Sequence, residues 1–197
     1  EVESTRRQVD KALNVTMLIA VPSAVGLLVL AKPVMQILFY QPESLDLAAK
    51  LLGAIAITVV FYSLSTVTNA VLQGIGKVNI PVIHAAISVG IQVVVLVVLL
   101  MFTDLDLYAL AIAMILYSLC MCILNQIAVR KYLGYKLKIK KAFVMPLVAS
   151  MIMGVVAAAV YHGIYYFVRN SAISLIVSVV VAVLVYFIAI IKCKVIS

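Results

Sequence analysis

Apolar residues run through this chain in long blocks, and the charged side chains fall almost wholly between them. The clearest case is residues 51–103, where Lys77 is the only charged residue in 53 positions, with 26 uncharged residues on either side. About 20 apolar residues cross the ~30 Å hydrocarbon of a bilayer, so each half is long enough to cross. The join, Gln73-Gly74-Ile75-Gly76-Lys77-Val78-Asn79-Ile80-Pro81, concentrates turn chemistry. Gly74 and Gly76 permit a tight reversal, Pro81 suits the first turn of the next helix, and Lys77 marks water. The pattern predicts a transmembrane helical hairpin.

Four more uncharged runs follow the same rule: 12–31 (20 residues), 107–129 (23), 142–168 (27) and 170–191 (22). Six spans are predicted: Leu13–Ala31, Leu47–Gln73, Ile80–Phe102, Leu107–Val129, Ala142–Phe167 and Ala172–Ile191. A charge at a helix centre costs roughly 2.5–3.5 kcal/mol in a membrane, so six such runs are not an accident of composition. A β-barrel would need alternating polarity, and Ile91-Gln92-Val93-Val94-Val95-Leu96-Val97-Val98 does not alternate. With 66% hydrophobic and 11% charged residues and a mean hydropathy of +1.26, a soluble globule is excluded, since such domains carry about 25% charged residues. The expected fold class is an all-α membrane protein. Residues 1–12 read as a polar cytoplasmic connection, and because Glu1 opens the chain without Met, a fragment of a longer protein is expected. In the first span Pro22, followed by Gly26, predicts a bend and a freed backbone carbonyl that needs a partner. The stretch from Lys32 to Tyr40 is too short to span and predicts an interfacial or re-entrant helix on the outer side, with Pro33 at its start. Gln41–Asp46 reads as an outer loop.

The net charge of +8 changes meaning once it is placed. If successive loops alternate sides, one side holds Arg6, Arg7, Lys11, Lys77, Arg130, Lys131, Lys136, Lys138, Lys140, Lys141, Lys192 and Lys194. The other holds Lys32, Lys50 and Arg169 with Glu43, Asp46, Asp104 and Asp106. The positive-inside bias then puts both termini in the cytoplasm, and nucleic acid is not an expected partner. The basic stretch 130–141 is expected to lie on the anionic inner leaflet, at about 1 kcal/mol per basic residue. Tyr40, Tyr108, Tyr132, Tyr135, Tyr161, Tyr165 and Tyr166 fall at the predicted interfaces, as an aromatic belt would.

Two spans carry polar stripes. Span two places Thr58, Tyr62, Ser65, Thr66, Asn69 and Gln73 close to one helical face, and span three places His84, Ser88 and Gln92 at four-residue steps. Both stripes start at the turn that holds Lys77. Two readings stand: adjacent helices lining a wet cavity, or ordinary interhelical hydrogen bonding at about 0.6 kcal/mol per contact. An ionisable side chain inside a span, such as His84, is a candidate for proton relay, set against a histidine wetted near the interface. Spans five and six have few polar residues beyond Ser174 and Ser178 and read as lipid-facing or accessory. Their Gly154, Ala157 and Ala158 permit close helix approach.

No enzyme signature is present: no Gly-x-Ser-x-Gly, phosphate loop, His-Glu-x-x-His or intramembrane acidic pair. Cys120 and Cys122 lack zinc-site spacing and read, with Cys193, as reduced packing residues. No metal or cofactor is expected.

Two passages carry a family resemblance: Val21-Pro22-Ser23-Ala24-Val25-Gly26-Leu27-Leu28-Val29-Leu30-Ala31-Lys32-Pro33, and Ala70-Val71-Leu72-Gln73-Gly74-Ile75-Gly76-Lys77-Val78-Asn79-Ile80-Pro81. At this separation they resemble the second half of MATE-like multidrug/oligosaccharidyl-lipid/polysaccharide (MOP) flippases, in the branch of stage V sporulation protein B and MurJ-type lipid II flippases. The resemblance covers roughly residues 5–135. It implies a fourteen-helix fold of two six-helix lobes plus two appended helices, which flips an undecaprenyl-linked sugar, such as a peptidoglycan or polysaccharide precursor, across the bacterial cytoplasmic membrane by alternating access. On that mapping 13–135 is the partial C-terminal lobe (helices nine to twelve), 136–197 holds the end of the basic loop and the two accessory helices, and an N-terminal lobe is missing. The expected substrate path is Tyr62, Thr66, Asn69, Gln73, Lys77, His84, Ser88 and Gln92, with hinges at Pro22, Gly26, Pro33, Gly74, Gly76 and Pro81. The competing functions are a cation-coupled multidrug exporter of the same superfamily and a non-transporting membrane scaffold.

Overall fold

The computed structural model describes residues 2–39, 43–136 and 140–192. Glu1, Tyr40, Gln41, Lys138, Cys193 and Lys194, used above, lie outside the described residues. Helices follow one another along the chain: α1 (Val2–Val29), α2 (Ala31–Leu38), α3 (Leu45–Gly74), α4 (Asn79–Phe102), α5 (Leu107–Leu133), a π-helical turn (Lys140–Val144), α6 (Met145–Val168) and α7 (Ser171–Lys192). Among the described residues every α-helix but α2 is long and apolar enough to cross a membrane, which makes 6 candidate spans. The chain is a multi-pass helical membrane protein.

Residues 1–12, expected as a connection, are from Val2 onward the first turns of α1. The reason is a four-residue stripe that starts before the last charge: Val9, Leu13 and Met17 are all buried, so the helix is held by packing where it is still too polar to count as a span. After α1 a single residue, Leu30, breaks the helical run with φ −101° and ψ 16°. The short helix expected there is α2, with Pro33 in its first turn.

The chain divides into two compact units, each assembled from separate segments: Glu1–Met17 with Ile57–Lys138, and Leu18–Ala56 with Ile139–Ser197. Both α1 and α3 therefore contribute to each unit. The second half of α1, α2 and the start of α3 thus group with α6 and α7.

In the first unit α4 and α5 form the hairpin expected around Asp104. Small residues spaced along α5, Ala109, Ala113 and Ser118 among them, are buried, whereas only 6% of the apolar window of α4 is covered, against 33% for α5. In the second unit α6 and α7 pack through two four-residue stripes, Ala149, Met153, Ala157 and Tyr161 against Ser174, Ser178, Ala182, Tyr186 and Ile190. The small residues bring the backbones close enough for Ser178 Oγ to donate to the Ala157 carbonyl at 2.6 Å, the packing mode of membrane helices. Asn170 starts α7 as its N-cap: its Oδ1 accepts from the N–H groups of Ala172 (3.0 Å) and Ile173 (3.2 Å).

Candidate functional site

The turn between α3 and α4 stops the first helix with a Schellman motif. Lys77 N–H donates to the Leu72 carbonyl (2.9 Å) and Gly76 N–H to the Gln73 carbonyl (3.0 Å), with Gly76 at φ 76°. Only glycine takes that left-handed position without a steric cost. Gly74 ends α3 with no positive φ, so the reversal rests on Gly76; Pro81 sits buried in the first turn of α4. Lys77 projects from the turn with its Nζ 5.2 Å from the centroid of the Tyr132 ring at the end of α5, and Lys131 Nζ lies 5.6 Å from the same ring. There α5 stops at Gly134, whose left-handed φ of 62° returns its N–H to the Arg130 carbonyl (2.9 Å). The start of α1 is fastened to the same end: Arg6 Nε donates to the Leu133 carbonyl, and Tyr135 Oη donates to Asp10 at 2.8 Å. Burial first, then the bond to Asp10, pushes the Tyr135 phenol above its ordinary range, so it remains a donor. Arg6, Lys77 and Lys131 thus gather at one end of the unit, while Asp104 and Asp106 lie in the turn at the far end of α4 and α5.

Above this basic end the two polar stripes meet a residue that sequence reasoning missed. Asn125 of α5, wholly buried, donates through Nδ2 to Asn69 Oδ1 at 2.6 Å and to the Ser65 carbonyl at 3.4 Å. Its Oδ1 lies 2.8 Å from His84 Nδ1. With both amide hydrogens directed at α3, Oδ1 is the acceptor, so Nδ1 of His84 carries the proton and Nε2 is left as the second ring position. One amide joins α3, α4 and α5. The sequence shows only that Asn125 and Gln126 stand together in a largely apolar span, where an amide seeks an interhelical partner, and it does not say which one.

The expected path residues divide. Asn69 and His84 are half-buried and held by Asn125. Tyr62 (56% exposed), Thr66, Gln73 and Lys77 are exposed. Thr66 returns its hydroxyl to the Tyr62 carbonyl at 2.8 Å, and Tyr62 faces Tyr117 with ring centroids 6.2 Å apart. A cavity of about 50 Å³ lies between Tyr62, Ser65, Thr66, Asn69 and Ser118. Ser88 is fully buried, Gln92 half-buried, and the hydroxyls of Ser65 and Ser88 have no hydrogen-bond partner among the described residues.

The expected hinge residues of α1 lie in the second unit. Proline lacks the N–H that would bond the carbonyl four residues earlier, and that carbonyl, of Leu18, instead accepts from Tyr186 Oη of α7 at 2.7 Å. The neighbouring Ser23 Oγ donates to Ile19 O at 2.7 Å. Pro22 and Gly26 line an apolar groove of about 460 Å³ with Met153, Ala182 and Tyr186. Helix α7, read from sequence as accessory, therefore satisfies the backbone of α1. Pro33 is buried at the start of α2.

A family model described as "Lipid II flippase MurJ" matches residues 1–180. The chain belongs to the MurJ family. The lipid II flippase MurJ of Bacillus subtilis (strain 168) is 30% identical over 165 residues, which cover 82% of this chain and 30% of that protein. A solved structure described as lipid II flippase MurJ, inward closed conformation, superposes with a TM-score of 0.79 at 20% identity, over 99% of this chain and 41% of that one. At that identity the likeness shows the MurJ fold alone. The chain spans about a third of the length of the curated MurJ relative and two-fifths of the solved one.

Proposed function

We propose that this chain is the C-terminal part of a flippase that moves a lipid-linked oligosaccharide, lipid II or a close analogue, across the bacterial cytoplasmic membrane by alternating access. The observation that carries this is the polar stripe of α3. One edge is fixed into the unit by Asn69 and Asn125, while Tyr62, Thr66 and Gln73 on the other edge are exposed and lead to Lys77 at the turn. An uncharged polar track of this kind offers hydrogen bonds to a sugar pyrophosphate while its lipid tail stays in hydrocarbon. The track is fixed by the Asn125 amide, so it moves as a body with α4 and α5 when the protein changes state. Pro22, Gly26 and Gly76 are the positions at which bending is absorbed.

The topology follows from the charges: the end with Arg6, Lys77 and Lys131 faces the cytoplasm, and so do both termini of this segment. An N-terminal lobe of the same protein completes the cavity, and the protein works as a transporter rather than a catalyst. MurJ membership disfavours the multidrug exporter and the scaffold. The test is lipid II translocation by the full-length protein, in cells depleted of their own flippase, with Asn69→Ala and Gln73→Ala. Both variants are expected to lose export at normal expression. Export at the unmodified rate in both would remove the α3 track from the mechanism.

A further inference from the structure

Below His84, α4 and α5 leave a cleft of about 260 Å³ in the first unit. Its walls are Ile80, Ile83, Leu124 and Ile127, and its mouth is formed by Lys131 and Tyr132. Lys77 reaches the same mouth, since its Nζ and that of Lys131 lie 5.2 and 5.6 Å from the centre of one tyrosine ring. We infer that this cleft is a binding site for an anionic glycerophospholipid of the inner leaflet, with an acyl chain between α4 and α5 and the phosphodiester between Lys77 and Lys131. Only the leaflet rests on the topology proposed above; the ligand class follows from the cleft itself.

Four observations converge on that chemistry. The cleft floor is aliphatic, with Ile80, Ile83, Leu124 and Ile127, so the occupant has an apolar chain. The mouth holds two ammonium groups and a phenol, and an exposed ammonium resting on a ring is weakly held and yields to a phosphate. Among the described residues no carboxylate competes there: Glu3 pairs with Arg7 at 3.3 Å, Asp10 accepts from Tyr135, and Asp104 and Asp106 are at the far end of the hairpin. His84, at the cleft's inner limit, is turned to Asn125 through Nδ1, so the polar network closes the site against deeper entry. Basic pockets between membrane helices on the cytoplasmic side are where anionic headgroups are held.

The experiment uses the full-length protein in phosphatidylcholine nanodiscs with a trace of phosphatidylglycerol or phosphatidylcholine carrying a photoreactive acyl chain, and maps labelled peptides by mass spectrometry. The phosphatidylglycerol probe is expected to label residues 80–84 and 124–132 about tenfold more than the phosphatidylcholine probe, against a ceiling of about 30-fold for two lysines at a membrane surface. The double substitution K77Q/K131Q is expected to bring the ratio near one, while Lys32→Gln in the other unit leaves it unchanged. Equal labelling by the two probes in the unsubstituted protein, or an unchanged ratio in the double variant, overturns the site. Absence of label at these peptides, which means that protein covers the cleft, overturns it too. So does displacement of the label by equimolar polyprenyl pyrophosphate but not by excess phosphatidylglycerol, which assigns the lysines to the transported lipid.

Discussion

Removing one hydroxyl from α7 tests how α1 tolerates a proline in mid-membrane. In Tyr186→Phe the Leu18 carbonyl loses its donor at 2.7 Å, and Pro22 has no N–H to replace it. The neighbouring hydroxyls are already committed, Ser23 to Ile19 and Ser150 to Pro146, and the surrounding groove is apolar. An unsatisfied buried acceptor costs about 1–3 kcal/mol, while interhelical hydrogen bonds in membranes average about 0.6 and reach about 1.7 kcal/mol. With no alternative donor, the upper part of the membrane range applies, about 1.5 kcal/mol. The decisive arm is Pro22→Ala, which restores an N–H for the same carbonyl. In that background Tyr186→Phe should cost only about 0.5 kcal/mol, a coupling of about 1 kcal/mol in a double-mutant cycle. Reversible unfolding of the full-length protein in mixed micelles under increasing SDS measures all four corners. Equal cost of Tyr186→Phe with and without Pro22 would refute the pairing of tyrosine with the proline-freed carbonyl.

Two further substitutions address the first unit. Asn125→Leu removes three contacts at about 0.6 kcal/mol each and should destabilise the same protein by about 2 kcal/mol in that titration; a neutral result would mean that α3, α4 and α5 are not joined through this amide. Gly134→Ala places a Cβ in a left-handed position, at a cost of about 1 kcal/mol, and into the space of the Arg6 guanidinium. Amide hydrogen exchange at the end of α5 should quicken in this variant, and unchanged protection there would contradict the αL stop.

The spans were legible because charge is so costly in hydrocarbon that the gaps between charges mark them, and the Gly76 reversal was legible because its chemistry is local. What the sequence hid was long-range. Tyr186 meets a carbonyl 168 residues earlier, and one phenol in an apolar helix has no periodic companion to announce it. Asn125 is hidden for the same reason: its partners Asn69 and His84 are on other helices, so no spacing along α5 points to it. That α1 begins well before its apolar run was not legible, because counting charges ignores the buried stripe of Val9 and Leu13. The candidate track on α3 was readable as a stripe, but which edge is bonded and which is open depends on α5.

The central claim is that water, and hence a hydrophilic headgroup, reaches the open edge of α3. Cysteines at Thr66 and Gln73 in a cysteine-free full-length protein, treated in inside-out membrane vesicles with a membrane-impermeant thiol reagent and compared with Val94→Cys on the apolar face of α4, test it directly. The account predicts that both α3 positions react much faster than Val94→Cys and that lipid II protects them. Reaction at Thr66→Cys and Gln73→Cys as slow as at Val94→Cys would contradict it.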